Sequence, residues 1–461
     1  MTRRLLMAML AVSPLALAAN LGVLRADEVA LWAAPVEGRT VFDEHRADAA
    51  MNPASTMKLV TAWAALNRLG PGYRWRSELK SNAVLENGVL RGDLYWIGRG
   101  DPRFDSARLT ELLRQLRLRG VQRIDGRLLL DKRAFSRISS ADGFDGDAER
   151  VFSVPPDTHL SNLKVAWLRY FYEQGRPQVV LDPPLPGFRL DNRLQPGANA
   201  SCGDVREHAE VSVSVSGSSI RVSGKLPPAC DGAASYVNVL DNDGYAGQSF
   251  AAIWQQLGGE GPRDIAQGDT PPDARQLVRL DSDPLPQALN DINKYSNNTM
   301  ARSVWLTLGA ENPHSGDTVA DAQLAVRSLL LERGIAAEPL QLENGAGLSR
   351  RERISARQLG AILLDAARGP YAAEFIASLP LAGEDGTLRR RFAGLGPRLR
   401  LKTGTLGDTR ALAGYWQAPS GQRLAIVALL NSARAAQLQG ALDALVGEVV
   451  ERYAAQLQGQ P

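Results

Sequence analysis

The stretch Asn52-Pro53-Ala54-Ser55-Thr56-Met57-Lys58-Leu59-Val60-Thr61-Ala62-Trp63-Ala64-Ala65-Leu66 holds the decisive pattern of this chain. From Leu59 to Leu66 it is almost wholly apolar and free of Gly and Pro, which predicts a well-buried helix. Pro53, just ahead of it, suits a helix start. Ser55 and Lys58 are three residues apart, so within one helical turn they share a face and the amine can reach the hydroxyl. A serine hydroxyl is a poor nucleophile at neutral pH. A neutral lysine can activate it if burial and a neighbouring cation lower the amine's pKa. The segment therefore reads as the start of a catalytic helix.

The S-x-x-K spacing also occurs at Ser77–Lys80 and Ser161–Lys164. Ser77 lies in an alternating stretch, where residues three apart point to opposite faces, and Ser161 leads into the strand-like run from Val165 to Tyr172. Only Ser55 opens a helix. Two more motifs, Ser296-Asn297-Asn298 and Lys402-Thr403-Gly404, each occur once. The chain has seven lysines, and two of them fall on these motif positions in order, which argues against chance. Together the motifs match S-x-x-K, S-x-N and K-T-G. Lys402 is the expected cationic neighbour of Lys58. Ser296 would bridge the two amines and carry a proton to a leaving amine, and Asn298 would hold Lys58 and a substrate amide. Lys402 and Thr403 would bind a terminal carboxylate, and the N–H groups of Ser55 and Thr405 would form an oxyanion hole.

The flanks are consistent with an exported protein. Arg3 and Arg4 precede the apolar run Leu5–Leu17, and Ala16-Leu17-Ala18 reads as a cleavage site, so residues 1–18 are expected to be a signal peptide. The body has no apolar run of spanning length. Net charge is +3, and with Arg3 and Arg4 removed it is +1, which gives no electrostatic case for nucleic acid. Two cysteines, Cys202 and Cys230, can persist as a disulfide outside the cytoplasm. The four histidines show no metal-ligand spacing, so neither metal nor cofactor is expected.

Periodicity sketches the rest. Val29–Ala33 and Thr40–Phe42 flank a turn at Glu37-Gly38, and Asn87-Gly88 marks a second hairpin. Residues 126–240 are turn-rich and strand-like, and Val211–Val222 reads as a strand pair. Helical patterns cover 106–119, 245–258, 285–309, 318–334, 355–369 and 435–457. Three strands lie between the last two helices, the first of them running into Lys402. Aromatic residues in 166–172 are expected in a strand core, and Lys294 is read as structural.

With these motifs in hand, the chain resembles the class C low-molecular-mass penicillin-binding proteins, the D-Ala-D-Ala carboxypeptidase/endopeptidase family. Further elements of the likeness are Gly98-Arg99-Gly100-Asp101-Pro102, Asn344-Gly345-Ala346-Gly347-Leu348-Ser349-Arg350 and Leu379-Pro380-Leu381-Ala382-Gly383-Glu384-Asp385-Gly386-Thr387-Leu388. The first two catalytic motifs are 241 residues apart, as the family's large insertion requires, whereas class A β-lactamases place them far closer.

The resemblance implies an α+β fold, a penicillin-binding-protein/β-lactamase-like transpeptidase domain with an antiparallel sheet flanked by helices, interrupted by a mainly β insertion. The expected division is 19–75 with 241–461 for the catalytic domain, 76–164 for a second domain and 165–240 for a small β domain with the cysteine pair. It implies a periplasmic serine peptidase acting on peptidoglycan stem peptides and cross-links, acylated by β-lactams, with peripheral membrane association open to it. Ser55, Lys58, Ser296, Asn298 and Lys402 would be catalytic, and Thr403, Gly404, Thr405 and Arg350 would bind substrate. The chain departs from the family at Gly407, where a Gln often stands. Asp145 or Asp147 could read a stem amine or be solvated turn acids. A β-lactamase and a non-catalytic wall-binding scaffold are the competing readings of the same motifs.

Overall fold

In a computed structural model, residues 20–459 are described except 39, 139–143, 145–152, 215, 217 and 239. The leader stretch 1–18 and the acids Asp145 and Asp147 lie outside the described residues. The chain opens with β1 (Val29–Pro35), β2 (Asp43–His45) and α1 (Lys58–Leu69). Next come β3 (Arg76–Ser81), β4 (Leu85–Glu86), β5 (Val89–Leu90), β6 (Leu94–Ile97), α2 (Ser106–Leu118), β7 (Arg123–Ile124) and β8 (Leu128–Asp131). A run of strands follows, β9 (Ala166–Glu173), β10 (Arg176–Asp182), β11 (Arg189–Pro196), β12 (Ala209–Ser214), β13 (Ser219–Leu226) and β14 (Ala234–Val237). Then come α3 (Asn242–Gln256), β15 (Ile265–Gln267), β16 (Arg275–Asp281), α4 (Leu285–Lys294), α5 (Asn298–Glu311), α6 (Thr318–Glu332), α7 (Ala356–Arg368) and α8 (Ala372–Ala377). The chain ends in β17 (Leu399–Leu406), β18 (Thr409–Gln417), β19 (Arg423–Asn431) and α9 (Gln439–Gln458).

The main sheet is antiparallel in the order β17-β18-β19-β1-β2, with β17 at an edge. Its strands are buried on both faces. In β1, Val29, Leu31 and Ala33 pack with Leu442, Val446 and Val450 of α9, while Ala30, Trp32 and Ala34 join Trp63 of α1 and Leu359 and Leu363 of α7. This alternation splits one strand between two cores. It also explains why β18 and β19 read as continuous apolar runs although the sheet is antiparallel. The mixed α/β architecture agrees with the fold implied by the resemblance.

Four local expectations are corrected. The second strand of the first hairpin is Asp43–His45 rather than Thr40–Phe42, since Leu31 pairs with His45 and Ala33 with Asp43. The helical pattern over 285–309 is two helices, because Ser296 sits at φ 58° between α4 and α5 and Asn297 caps α5, accepting the Met300 N–H at 3.0 Å. A left-handed residue cannot continue a right-handed helix. Trp167 was expected in a strand core. It is 37% exposed and stands edge-on to Tyr236, while its neighbours Ala166, Leu168 and Tyr170 are buried.

The fourth correction concerns the boundary at 241. The sheet β15-β8-β6-β3-β16 takes in strands from beyond it. The apolar stripe of α3, with Ala246, Phe250 and Trp254, packs against Leu109 and Leu113 of α2 and Trp96 of β6. Residues 242–281 therefore belong with the inserted sheet, not the catalytic one. The inserted chain leaves and returns at one point. There the Ser282 N–H donates to the Trp75 carbonyl (2.9 Å), and the Trp75 N–H donates to Ser282 Oγ (3.0 Å).

Strands β9–β14 form two small sheets around Tyr170, Ile220, Val222 and Tyr245, and Cys202 is bonded to Cys230 within that core. The bridge closes a loop with a sequence separation of 28 residues. By loop-closure entropy, the double substitution of Cys202→Ser and Cys230→Ser should cost this block roughly 3 kcal/mol. We expect faster proteolysis within 165–240 and unchanged resistance in the main sheet, read by limited proteolysis with the fragments mapped.

Candidate active site

The turn that carries Ser55 is built by short-range bonds. A 3-10 turn, Ala54–Met57, runs into α1. Asn52 Oδ1 accepts the Ala54 N–H (2.9 Å), Asn52 Nδ2 donates to the Ser349 carbonyl (2.9 Å), and Thr56 Oγ1 donates to the Pro53 carbonyl (2.8 Å). This fixes Ser55 where a half-buried hydroxyl meets a cleft, while Lys58 is fully buried.

Lys58 Nζ lies 3.0 Å from Ser55 Oγ, 2.6 Å from Asn298 Oδ1 and 2.5 Å from the Ala346 carbonyl. Lys402, also fully buried, donates to Ser296 Oγ (2.8 Å) and to the Thr403 carbonyl (2.8 Å). Segments from α1, the α4–α5 junction and β17 thus converge on one point. The expected double bridge through Ser296 is not what the geometry gives. Ser296 meets Lys402, whereas Lys58 spends its bonds on Ser55, Asn298 and Ala346.

Burial pushes Lys58 down to about 7, and the nearby Glu352 carboxyl works in the opposite direction. Burial, and then repulsion from Lys58, hold Lys402 well below the ordinary lysine value. Both effects favour an uncharged amine, so burial, and not the expected cationic Lys402, is what lowers Lys58.

Close packing explains the glycine of the third motif. A Cβ on Gly404 would stand 2.6 Å from the Pro53 carbonyl oxygen, so a side chain there would push β17 off the turn that carries Ser55. Thr403 Oγ1 donates to Thr387 Oγ1 at 2.9 Å. A cleft of about 540 Å³ is lined by Ser55, Ser296, Asn298, Thr403 and Thr405, and by Arg350 and Phe144 as well. Arg350 is 3.4 Å from Asp408 and its guanidinium lies 4.8 Å from the Phe144 ring centroid. Gly407 also lines the cleft. Lys294 is paired with Asp385, away from the other two lysines' bonds.

Sequence reasoning missed Thr387, Phe144 and Glu352. Thr387 stood inside a quoted motif without a role. Phe144 reaches the cleft because the segment after β8 crosses back to the helices, where Ser136 bonds Thr318 and Thr299 donates to the Val154 carbonyl. Glu352 is an acid among arginines in Arg350-Arg351-Glu352-Arg353, a pattern that looks like surface yet is fully buried. Among the described residues no group of His, Cys, Asp and Glu could hold a metal ion.

The family model described as D-Ala-D-Ala carboxypeptidase 3 (S13) matches residues 14–449. A D-alanyl-D-alanine carboxypeptidase of Actinomadura sp. (strain R39) is 29% identical over 394 residues, 80% of this chain and 71% of that protein. The D-alanyl-D-alanine carboxypeptidase DacB of Haemophilus influenzae is 26% identical over 404 residues, 85% of this chain and 82% of its own. The crystal structure of penicillin binding protein 4 (dacB) from Haemophilus influenzae superposes with a TM-score of 0.75 at 23% identity, over 92% of this chain and 96% of that one, a likeness of fold. With nearly its whole length matched, the chain belongs to the D-Ala-D-Ala carboxypeptidase 3 (S13) family.

Proposed function

We propose that Ser55 is the acylated nucleophile of this serine-type D-alanyl-D-alanine peptidase and that Lys58 is its general base. The observation that carries the assignment is the set of contacts around one buried amine. A neutral amine has two hydrogens and one lone pair. Asn298 Oδ1 and the Ala346 carbonyl take the hydrogens, so the lone pair is left for the Ser55 hydroxyl, which donates to it.

In the reaction, Ser55 Oγ bonds to the carbonyl carbon of the penultimate D-Ala as its proton passes to Lys58. The C–N bond then breaks as Lys58 returns that proton to the leaving amine, and an ester to Ser55 remains, with Ser296 held at the site by Lys402. Water hydrolyses the ester and restores the hydroxyl. The N–H groups of Ser55 and Thr405 are read as the oxyanion hole, worth about 3 kcal/mol per donor in such sites. Lys402 and Thr403 hold the substrate's terminal carboxylate, with the Gly404 backbone beside it. The outer edge of β17 is bridged by Leu381 at Arg400, and past that bridge no strand among the described residues covers it, so an extended peptide can pair along its second half. Arg350 and Phe144 are read as contacts to the stem peptide's side chain.

Carboxypeptidase and endopeptidase action differ only in whether the leaving amine is free D-Ala or a cross-bridge, and both fit this cleft. We read the enzyme as exported to the periplasm, supported by the disulfide and the N-terminal sequence pattern. No helix among the described residues is long and apolar enough to cross a membrane, so any membrane association we propose is peripheral.

Incubation with a D-Ala-D-Ala pentapeptide and with cross-linked muropeptides tests the reading. Release of D-Ala or cleavage of dimers, both blocked by penicillin, is the expected result, and neither product would refute it. The amine also sets the pH dependence. Lys58 must be neutral and titrates near 7, so acylation should rise with pH through that value and fall about tenfold per unit well below it. Stopped-flow rates with a chromogenic β-lactam from pH 5 to 9 would show this limb.

A further inference from the structure

Glu352 has no part in the chemistry described so far, yet it is fully buried behind the site. Its Oε1 accepts the N–H groups of Glu343 (3.0 Å), Asn344 (3.0 Å) and Gly345 (3.2 Å). Those residues begin the loop whose Ala346 carbonyl meets Lys58. The same loop is pinned to α1, where Thr61 Oγ1 donates to the Gly345 carbonyl at 2.6 Å. Its far side is closed by Asn344 Nδ2 donating to the Leu348 carbonyl (2.7 Å). The second carboxyl oxygen, Oε2, is buried and meets no donor among the described residues. An acceptor for three N–H groups could be an amide. Burial pushes this carboxyl up from the ordinary value, while the N–H groups of Asn344, Glu343 and Gly345 favour its ionised form, so a carboxyl placed here costs desolvation that an amide would not.

We propose that Glu352 is the positioning residue for Lys58: it clamps loop 343–348 so that the Ala346 carbonyl meets the amine, and in its ionised form it opposes loss of the amine's proton. The inference rests on Lys58 acting as the base. The surrounding charges leave this role open to Glu352. Lys402 approaches Lys58 from β17, and α5 contributes the neutral Asn298 together with the buried Arg302, which donates to the Ser153 carbonyl (3.5 Å). Next to Glu352 stands Glu343, which takes the Ser349 hydroxyl and pairs with Arg351. Arg353 turns to the carbonyls of Arg350 and Glu352 (both 2.8 Å). Protonated Lys58 and ionised Glu352 stabilise one another. Removing the carboxylate therefore lets Lys58 lose its proton at lower pH.

The test is the pH profile of β-lactam acylation for the wild type, Glu352→Gln, Glu352→Leu and Lys58→Ala. Glu352→Gln keeps the acceptor and the shape. We expect it to fold, to acylate at high pH within a few-fold of the wild type, and to move the acid limb down by about one pH unit. Glu352→Leu removes the clamp as well and should lose at least about tenfold in rate at every pH. An unmoved limb in Glu352→Gln, or failure of that variant to fold, would overturn the proposal, since the acceptor alone is held to brace the loop. Full acylation by Lys58→Ala would instead sink the base assignment, so the two failures are told apart.

Discussion

Replacing Ser55 by alanine is expected to remove at least about 10⁴-fold of D-Ala release and all covalent labelling by penicillin. The magnitude follows from how nucleophile and base act as one unit, in which loss of either member costs nearly the whole covalent route. Lys58→Ala should fall close to the same level, because the hydroxyl would face Asn298 and the Ala346 carbonyl with nothing to take its proton. The other two S-x-x-K serines serve as controls. Ser77 begins the buried positions of β3 and Ser161 precedes a 3-10 turn ahead of β9, and neither lines the cleft. Ser77→Ala and Ser161→Ala should label at wild-type rates in a gel assay with fluorescent penicillin. Labelling that survives in Ser55→Ala would overturn the assignment.

The second large effect is expected at a residue with no side chain. Gly347 has φ 76°, and a Cβ there would lie 1.8 Å from the Ala54 carbonyl oxygen, 2.2 Å from its carbon and 2.7 Å from the Ser55 nitrogen. These are backbone atoms and cannot rotate away. Either the loop retreats, drawing the Ala346 carbonyl off Lys58, or the nucleophile turn moves. Displacements near 1 Å at reacting groups cost about 10²-fold, so Gly347→Ala should lose at least that in acylation rate while near-UV circular dichroism stays native. Gly394, with open space around its would-be Cβ, is the matched control and should be silent. Equal rates for the two variants would refute the argument.

The sequence was most informative where structure is local. Ser55 and Lys58 needed only a helical turn, Asn87-Gly88 only two positive φ angles (51° and 80°), and the Val211–Val222 pattern only alternation; β12 and β13 do pair there. It was least informative where a residue's meaning depends on a distant partner. Glu352 reads as a surface acid until the 343–345 backbone wraps around it. The break at Ser296 is hidden because apolar spacing continues in phase across α4 and α5, and no composition rule marks a left-handed serine. The 241 boundary failed for the same reason. The stripe on α3 is amphipathic whichever core it joins, and only the positions of α2 and β6 decide.

One pairing in the main sheet has a consequence for biogenesis. Val29 lies opposite Leu430, and Pro35 opposite Leu424. The earliest strand must wait for the latest, with almost the entire polypeptide between them. Such distant closure is slow, and partly made chains expose unpaired edges meanwhile. A nascent molecule therefore holds Ser55 in an unfinished scaffold. Competence arrives as a late, single event, after the carboxy-terminal strands have emerged and docked.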